Sequence, residues 1–185
     1  CSGNQGSFIF CEDFGSGTAL YGPALPLGVT NYVYQQGVPG NGTYVIASSS
    51  NPSGTNAGYV NDNHDHTGNL NGYMMVVNSD YPAAEVYRKH VTGLCPSTTY
   101  VFCAYLANNN SPLAVSNVCG SSYVYANIKF LTEFPLGTVQ GSVSSGNLQV
   151  APTATSLPWV QYGFSFTTGP SQTSVDIVLK NNAPG

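Results

Sequence analysis

The chain has 185 residues, among them 21 Gly, 12 Pro and 13 Tyr, and only four basic and eight acidic side chains, so 6% of it is charged against ~25% in an ordinary soluble domain. A net charge of -4, with Arg88-Lys89 as the only adjacent basic pair, excludes the basic footprint of a nucleic-acid-binding protein. No apolar run approaches the ~20 residues of a membrane-spanning helix, and a content of 42% hydrophobic and 12% aromatic residues is too high for a disordered chain. One packed domain over residues 1–185 is expected, with residues 1–7 a polar, flexible lead or tether.

Period-two alternation dominates from start to end, and no segment keeps a helical period. In chain order it predicts short strands at 7–11, 29–35 and 43–48. Longer ones rich in Val, Ile, Tyr and Phe follow at 73–78, 84–91, 99–107, 123–132, 159–168 and 173–180. Between them stand breaker clusters: Pro39-Gly40-Asn41-Gly42, Asn51-Pro52-Ser53-Gly54, Asn108 to Pro112, Gly141 to Gly146, and Gly169-Pro170. Many strands with Gly/Pro punctuation predict an all-β fold, an antiparallel β-sandwich of jelly-roll-like form.

Successive side chains of a strand point to opposite faces. The alternation therefore sends Val124, Ala126, Ile128, Phe130, Val160, Tyr162, Phe164, Phe166, Val175, Ile177 and Leu179 inward. It leaves Tyr123, Tyr125, Asn127, Lys129, Trp159, Gln161, Asp176 and Lys180 outward. Sugars stack their C–H faces on aromatic rings and pair their hydroxyls with amides and carboxylates. Tyr123, Tyr125, Asn127, Trp159, Gln161 and Asp176 are thus a candidate glycan platform, or equally a face that covers loops or a neighbouring copy.

Two carboxylate groups are candidate metal sites. Asp62-Asn63-His64-Asp65-His66 offers oxygens and imidazoles, with calcium favoured over zinc by the oxygen count, although short Asp/His/Asn runs also bond to themselves as loops. Glu12-Asp13 follows the first predicted strand, where it can close a structural calcium site or serve a turn. No Gly-x-Ser-x-Gly elbow, His-Glu-x-x-His or phosphate loop is present, and no acid pair falls in a catalytic motif, so a non-catalytic role is expected.

The five cysteines, Cys1, Cys11, Cys95, Cys103 and Cys119, form no close Cys-x-x-Cys pairs. Cys95 and Cys119 bracket a Tyr/Asn/Ser-rich stretch as a disulfide would, which points to an oxidising compartment. Cys103 is expected to be a buried core thiol. Cys1 before Ser2-Gly3-Asn4-Gln5-Gly6-Ser7 matches the start of a mature bacterial lipoprotein, with a lipid anchor at Cys1; a disulfide to Cys11 is the alternative.

Four segments carry a resemblance: Phe10-Cys11-Glu12-Asp13-Phe14-Gly15-Ser16-Gly17-Thr18, Asp65-His66-Thr67, Gly72-Tyr73-Met74-Met75-Val76-Val77-Asn78, and Gly93-Leu94-Cys95-Pro96-Ser97-Thr98-Thr99-Tyr100. In this order they resemble the β-sandwich modules of large surface and secreted proteins of gliding-type bacteria that use type IX secretion. The resemblance implies a jelly-roll module similar to carbohydrate-binding domains, with Cys95 paired to a later cysteine, here Cys119, and structural calcium near Glu12 and Asp13. It also implies a closing strand with paired aspartates after a segment like Val178-Leu179-Lys180-Asn181-Asn182, whereas the sequence ends at Gly185. Either the sequence stops short of that strand, or a neighbouring copy supplies it. The expectation from sequence is an extracellular adhesion or surface-assembly module that contacts glycans, with a self-assembling filament subunit completed by strand donation as the alternative.

Overall fold

The computed structural model describes residues 9–80, 82–113, 125–134 and 137–182. The lead at 1–7, Cys1, Cys119, Tyr123 and Val124 lie outside the described residues. Nine strands are described: β1 (Val33–Tyr34), β2 (Thr43–Ala47), β3 (Met74–Asn78), β4 (Glu85–Thr92), β5 (Thr99–Leu106), β6 (Asn127–Phe134), β7 (Thr138–Asn147), β8 (Val160–Thr167) and β9 (Ser174–Asn181). No helix among the described residues is long and apolar enough to cross a membrane. The fold is all-β, as the alternation predicts.

The strands form a four-stranded sheet in the order β4-β9-β6-β7, a two-stranded sheet β5-β8 and a three-stranded sheet β1-β2-β3. All pairings are antiparallel except β1 with β2. The chain passes from one sheet to another at nearly every step from β4 onward, so the pairings are mostly non-local. β9, the last described strand, lies between β4 and β6 and is paired along both sides.

Alternation orients most of the core correctly; Val160, expected inward, is 40% exposed at the start of β8. Val175, Ile177 and Leu179 of β9 are buried with Phe130 of β6 and with Tyr87 and Val91 of β4. Tyr100, Phe102, Ala104 and Leu106 of β5 and Tyr162, Phe164 and Phe166 of β8 pack against them from the facing sheet. Phe130 is 1% exposed, with ring centroids 6.0 Å from Phe102, 6.4 Å from Tyr162 and 6.3 Å from Phe164. These spacings lie within the range of favourable aromatic pairs. The three-stranded sheet is buried on both sides at β2 and β3, while Val33 of β1 is exposed. Val45, Ala47, Met74 and Val76 face one apolar cluster, and Tyr44 and Ile46 face another with Tyr32 and Tyr73.

Three further local expectations need correction. Residues 9–11 form no strand: Ile9 is half-exposed, while Phe10 stacks on Phe102 at 6.3 Å. Within 29–35 only Val33 and Tyr34 are strand, because Val29 and Asn31 instead pair with the margin of β4 through Arg88 N–H to Val29 O and Asn31 N–H to Glu85 O. The Gly141 to Gly146 stretch is no breaker but the middle of β7, the longest strand. As a marginal strand it needs no apolar alternation, and two register shifts against β6 absorb its glycines.

Because Phe130 fills the space between the two facing sheets, Phe130→Ala is expected to cost about 4 kcal/mol in urea denaturation. Val139→Ala, at a 51% exposed position on β7, should stay within about 0.5 kcal/mol.

Candidate functional site

The sandwich has two outer faces of opposite character. On the four-stranded sheet, the face turned away from the core carries an ionic network centred on Arg88 of β4. Arg88 Nε and Nη2 donate to the two carboxylate oxygens of Glu85 at 2.8 and 2.7 Å, Nη2 also to Glu133 of β6 at 2.7 Å, and Nη1 to Asp176 of β9 at 2.8 Å. His90 Nδ1 lies 2.6 Å from Asp176, and Lys180 Nζ stands 3.5 and 3.6 Å from Glu85 and Glu133. Register produces the cluster: Glu85 pairs with Lys180, His90 with Asp176, and Asp176 with Glu133. The hydrogen bonds from Arg88, outweighing burial, hold the Glu85 carboxyl below its ordinary range, and Glu85 in return pushes Arg88 up.

Among the described residues, the outer face of β5-β8 carries no charged side chain. It presents Val101, Cys103 and Tyr105 from β5 and Gln161, Gly163 and Ser165 from β8, with Thr99 and Thr167 hydrogen-bonded across its end at 2.9 Å. Gly163 is fixed by close approach, since a Cβ there would sit 2.6 Å from Phe102 O and 3.0 Å from Cys103 Sγ. Tyr105 is 40% exposed, pairs in register with Gln161, and stacks on His66 with ring centroids 4.1 Å apart. Trp159 meets His66 edge-on at 6.3 Å.

The loop that delivers His66 is braced by its own acids. Asp62 is buried; one oxygen accepts His64 N–H at 3.0 Å and meets His64 Nδ1, and the other accepts Leu157 N–H at 2.8 Å. The Asp65 carboxylate accepts from Thr67 N, Thr67 Oγ1 and Asn69 N at 2.8, 2.6 and 3.0 Å. Burial raises its pKa, but these bonds outweigh it and leave a net lowering. Gly72 leaves room for this carboxylate, which a Cβ at that position would overlap.

The structure therefore divides the expected glycan set. Asn127 and Asp176 lie on the charged face, where Asn127 Oδ1 accepts from Ser144 and Asp176 is held by Arg88. Gln161 lies on the uncharged face of the other sheet. Tyr125 stands exposed just before β6, and Tyr123 is outside the described residues. Trp159 does not project outward as expected: it precedes β8, so the pleat does not orient it, and it packs partly buried against Val45, Ala47, Val60 and Leu157. Tyr105 and His66 were not in the expected set, and their meeting depends on loop placement that strand periodicity does not encode.

The expected calcium ligands do not converge. Glu12 accepts Phe14 N–H and Tyr87 Oη–H, Asp13 accepts Gly15 N–H, and Asp62 and Asp65 are used as described above. Among the described residues no group of three His, Cys, Asp or Glu side chains is placed to hold a metal ion. Cys11 and Cys95 are exposed and have no disulfide partner among the described residues. Cys103 is half-buried on the outer face, not a core thiol.

Compared with protein-family models, curated proteins and solved structures, the chain matches none.

Replacing Arg88 with Met leaves three carboxylates facing one another, and at neutral pH a loss on the order of 3 kcal/mol is expected. Glu85 has a lowered folded pKa, so its contribution is complete above the ordinary value of about 4.3 and disappears as pH falls through the folded value. Thermal melts across acid pH should therefore fall more steeply for the wild type than for Arg88→Met. Parallel curves would show that the network is not coupled to protonation.

Proposed function

We propose that this protein is a non-catalytic extracellular adhesion or surface-assembly module, jelly-roll-like in form, that contacts glycans through the outer face of β5-β8. The carrying observation is the Tyr105–His66 stack beside Gln161 on that face. Its exposed aromatic area suits the C–H face of a sugar ring, and the Gln161 amide both donates and accepts toward hydroxyls. Tyr105→Ala and Gln161→Ala are expected to abolish binding on a glycan array while leaving the melting temperature within a few degrees, and Arg88→Met to retain binding. Absence of wild-type binding to any glycan overturns the reading.

The second reading, a self-assembling filament subunit joined to its neighbours by strand pairing, is favoured by β7. This ten-residue strand is the margin of its sheet, largely exposed and without a single charge, whereas the opposite margin at β4 is covered by residues 29–31. Long uncharged margins invite pairing with another chain. Light scattering should then detect polymers that a Ser142→Lys, Ser144→Lys variant fails to form, and a monomer at every concentration rejects this reading.

A further inference from the structure

Resting on the glycan reading above, we infer that the ligand of the β5-β8 face is an uncharged glycan, not a uronate or sulfated one. The argument is the segregation of charge. Every lysine and arginine of the chain sits on the four-stranded sheet: Arg88 and Lys89 on β4, Lys129 on β6 and Lys180 on β9. Arg88, Lys129 and Lys180 stand on the side of that sheet away from β5-β8, and Lys89 shares the core-facing side of β4 with Tyr87 and Val91; with packed sheets ~10 Å apart, none of the four stands on the outer face of β5-β8. Arg88 is moreover fully engaged by Glu85, Glu133 and Asp176. No fixed cation therefore reaches a ligand on the uncharged face.

Recognition of a carboxylate or sulfate uses the charged donors of Arg or Lys, and an anion desolvated without them is penalised. The ionised group adjoining His66 has the opposite sign. Asp65 is held ionised by Thr67 and Asn69, and its field opposes an anionic sugar. What the face does offer, the Tyr105 and His66 rings and the Gln161 amide, matches the C–H faces and hydroxyls of a neutral sugar.

The test is calorimetric titration, at neutral pH and physiological salt, of neutral oligosaccharides (cello-, manno- and chito-oligosaccharides) and acidic ones (oligogalacturonate and a sulfated oligosaccharide) into the wild type and Gln161→Lys. The wild type is expected to prefer the neutral ligands by at least about tenfold, and Gln161→Lys to shift that preference toward the acidic ones. Salt-sensitive wild-type preference for an acidic ligand overturns this inference and leaves the glycan reading standing. Binding of no oligosaccharide by the wild type overturns both.

Discussion

Everything in this molecule depends on the contact of Phe130 with the aromatic layer of the facing sheet. Phe130 sits on β6 between β9 and β7, and its ring meets Phe102, Tyr162 and Phe164 at once. A two-stranded sheet such as β5-β8 is at best marginally stable alone in water. Packing its inner face against β6 and β9 gives it a fixed position. Only then does its outer face become a defined surface, with Tyr105 opposite Gln161 and held in place by register. The proposed binding face is a product of the core beneath it.

The same architecture explains how a chain with so few charges uses them. Three acids and two cations converge at Arg88, on the side of the four-stranded sheet away from the core. The network links β4, β6 and β9 across three strands, so its charges act on sheet geometry and not on an incoming ligand. Four further acids, Glu12, Asp13, Asp62 and Asp65, accept backbone hydrogen bonds within turns and loops. Little charge is left to define the opposite face, which is given over to aromatic, amide and hydroxyl groups.

Strand content and most of the inward residues were legible in the sequence, because Val175-Ile177-Leu179 and Tyr162, Phe164 and Phe166 follow the period of the pleat, whereas Val160 at the start of β8 is exposed. β7 was not, since a marginal strand buries little and its serines and glycines imitate a loop. The site was only partly legible. Gln161 was oriented correctly by alternation within β8, whereas Trp159 stands one residue before the strand begins and escapes the rule. Asp62-Asn63-His64-Asp65-His66 stood out as polar, but its use depends on burial and on Leu157 N–H, 95 residues away. The Arg88 network likewise needs the register of three strands, and no local pattern carries that.

The central claim is that the two outer faces divide the work: ionic bracing on one and neutral glycan contact on the other. Amide chemical-shift mapping during titration with a bound neutral oligosaccharide tests it most directly. The account predicts perturbations confined to β5, the start of β8 and the loop around His66, with Arg88, Glu133 and Asp176 unmoved. Perturbations centred on β4, β6 and β9 would contradict it.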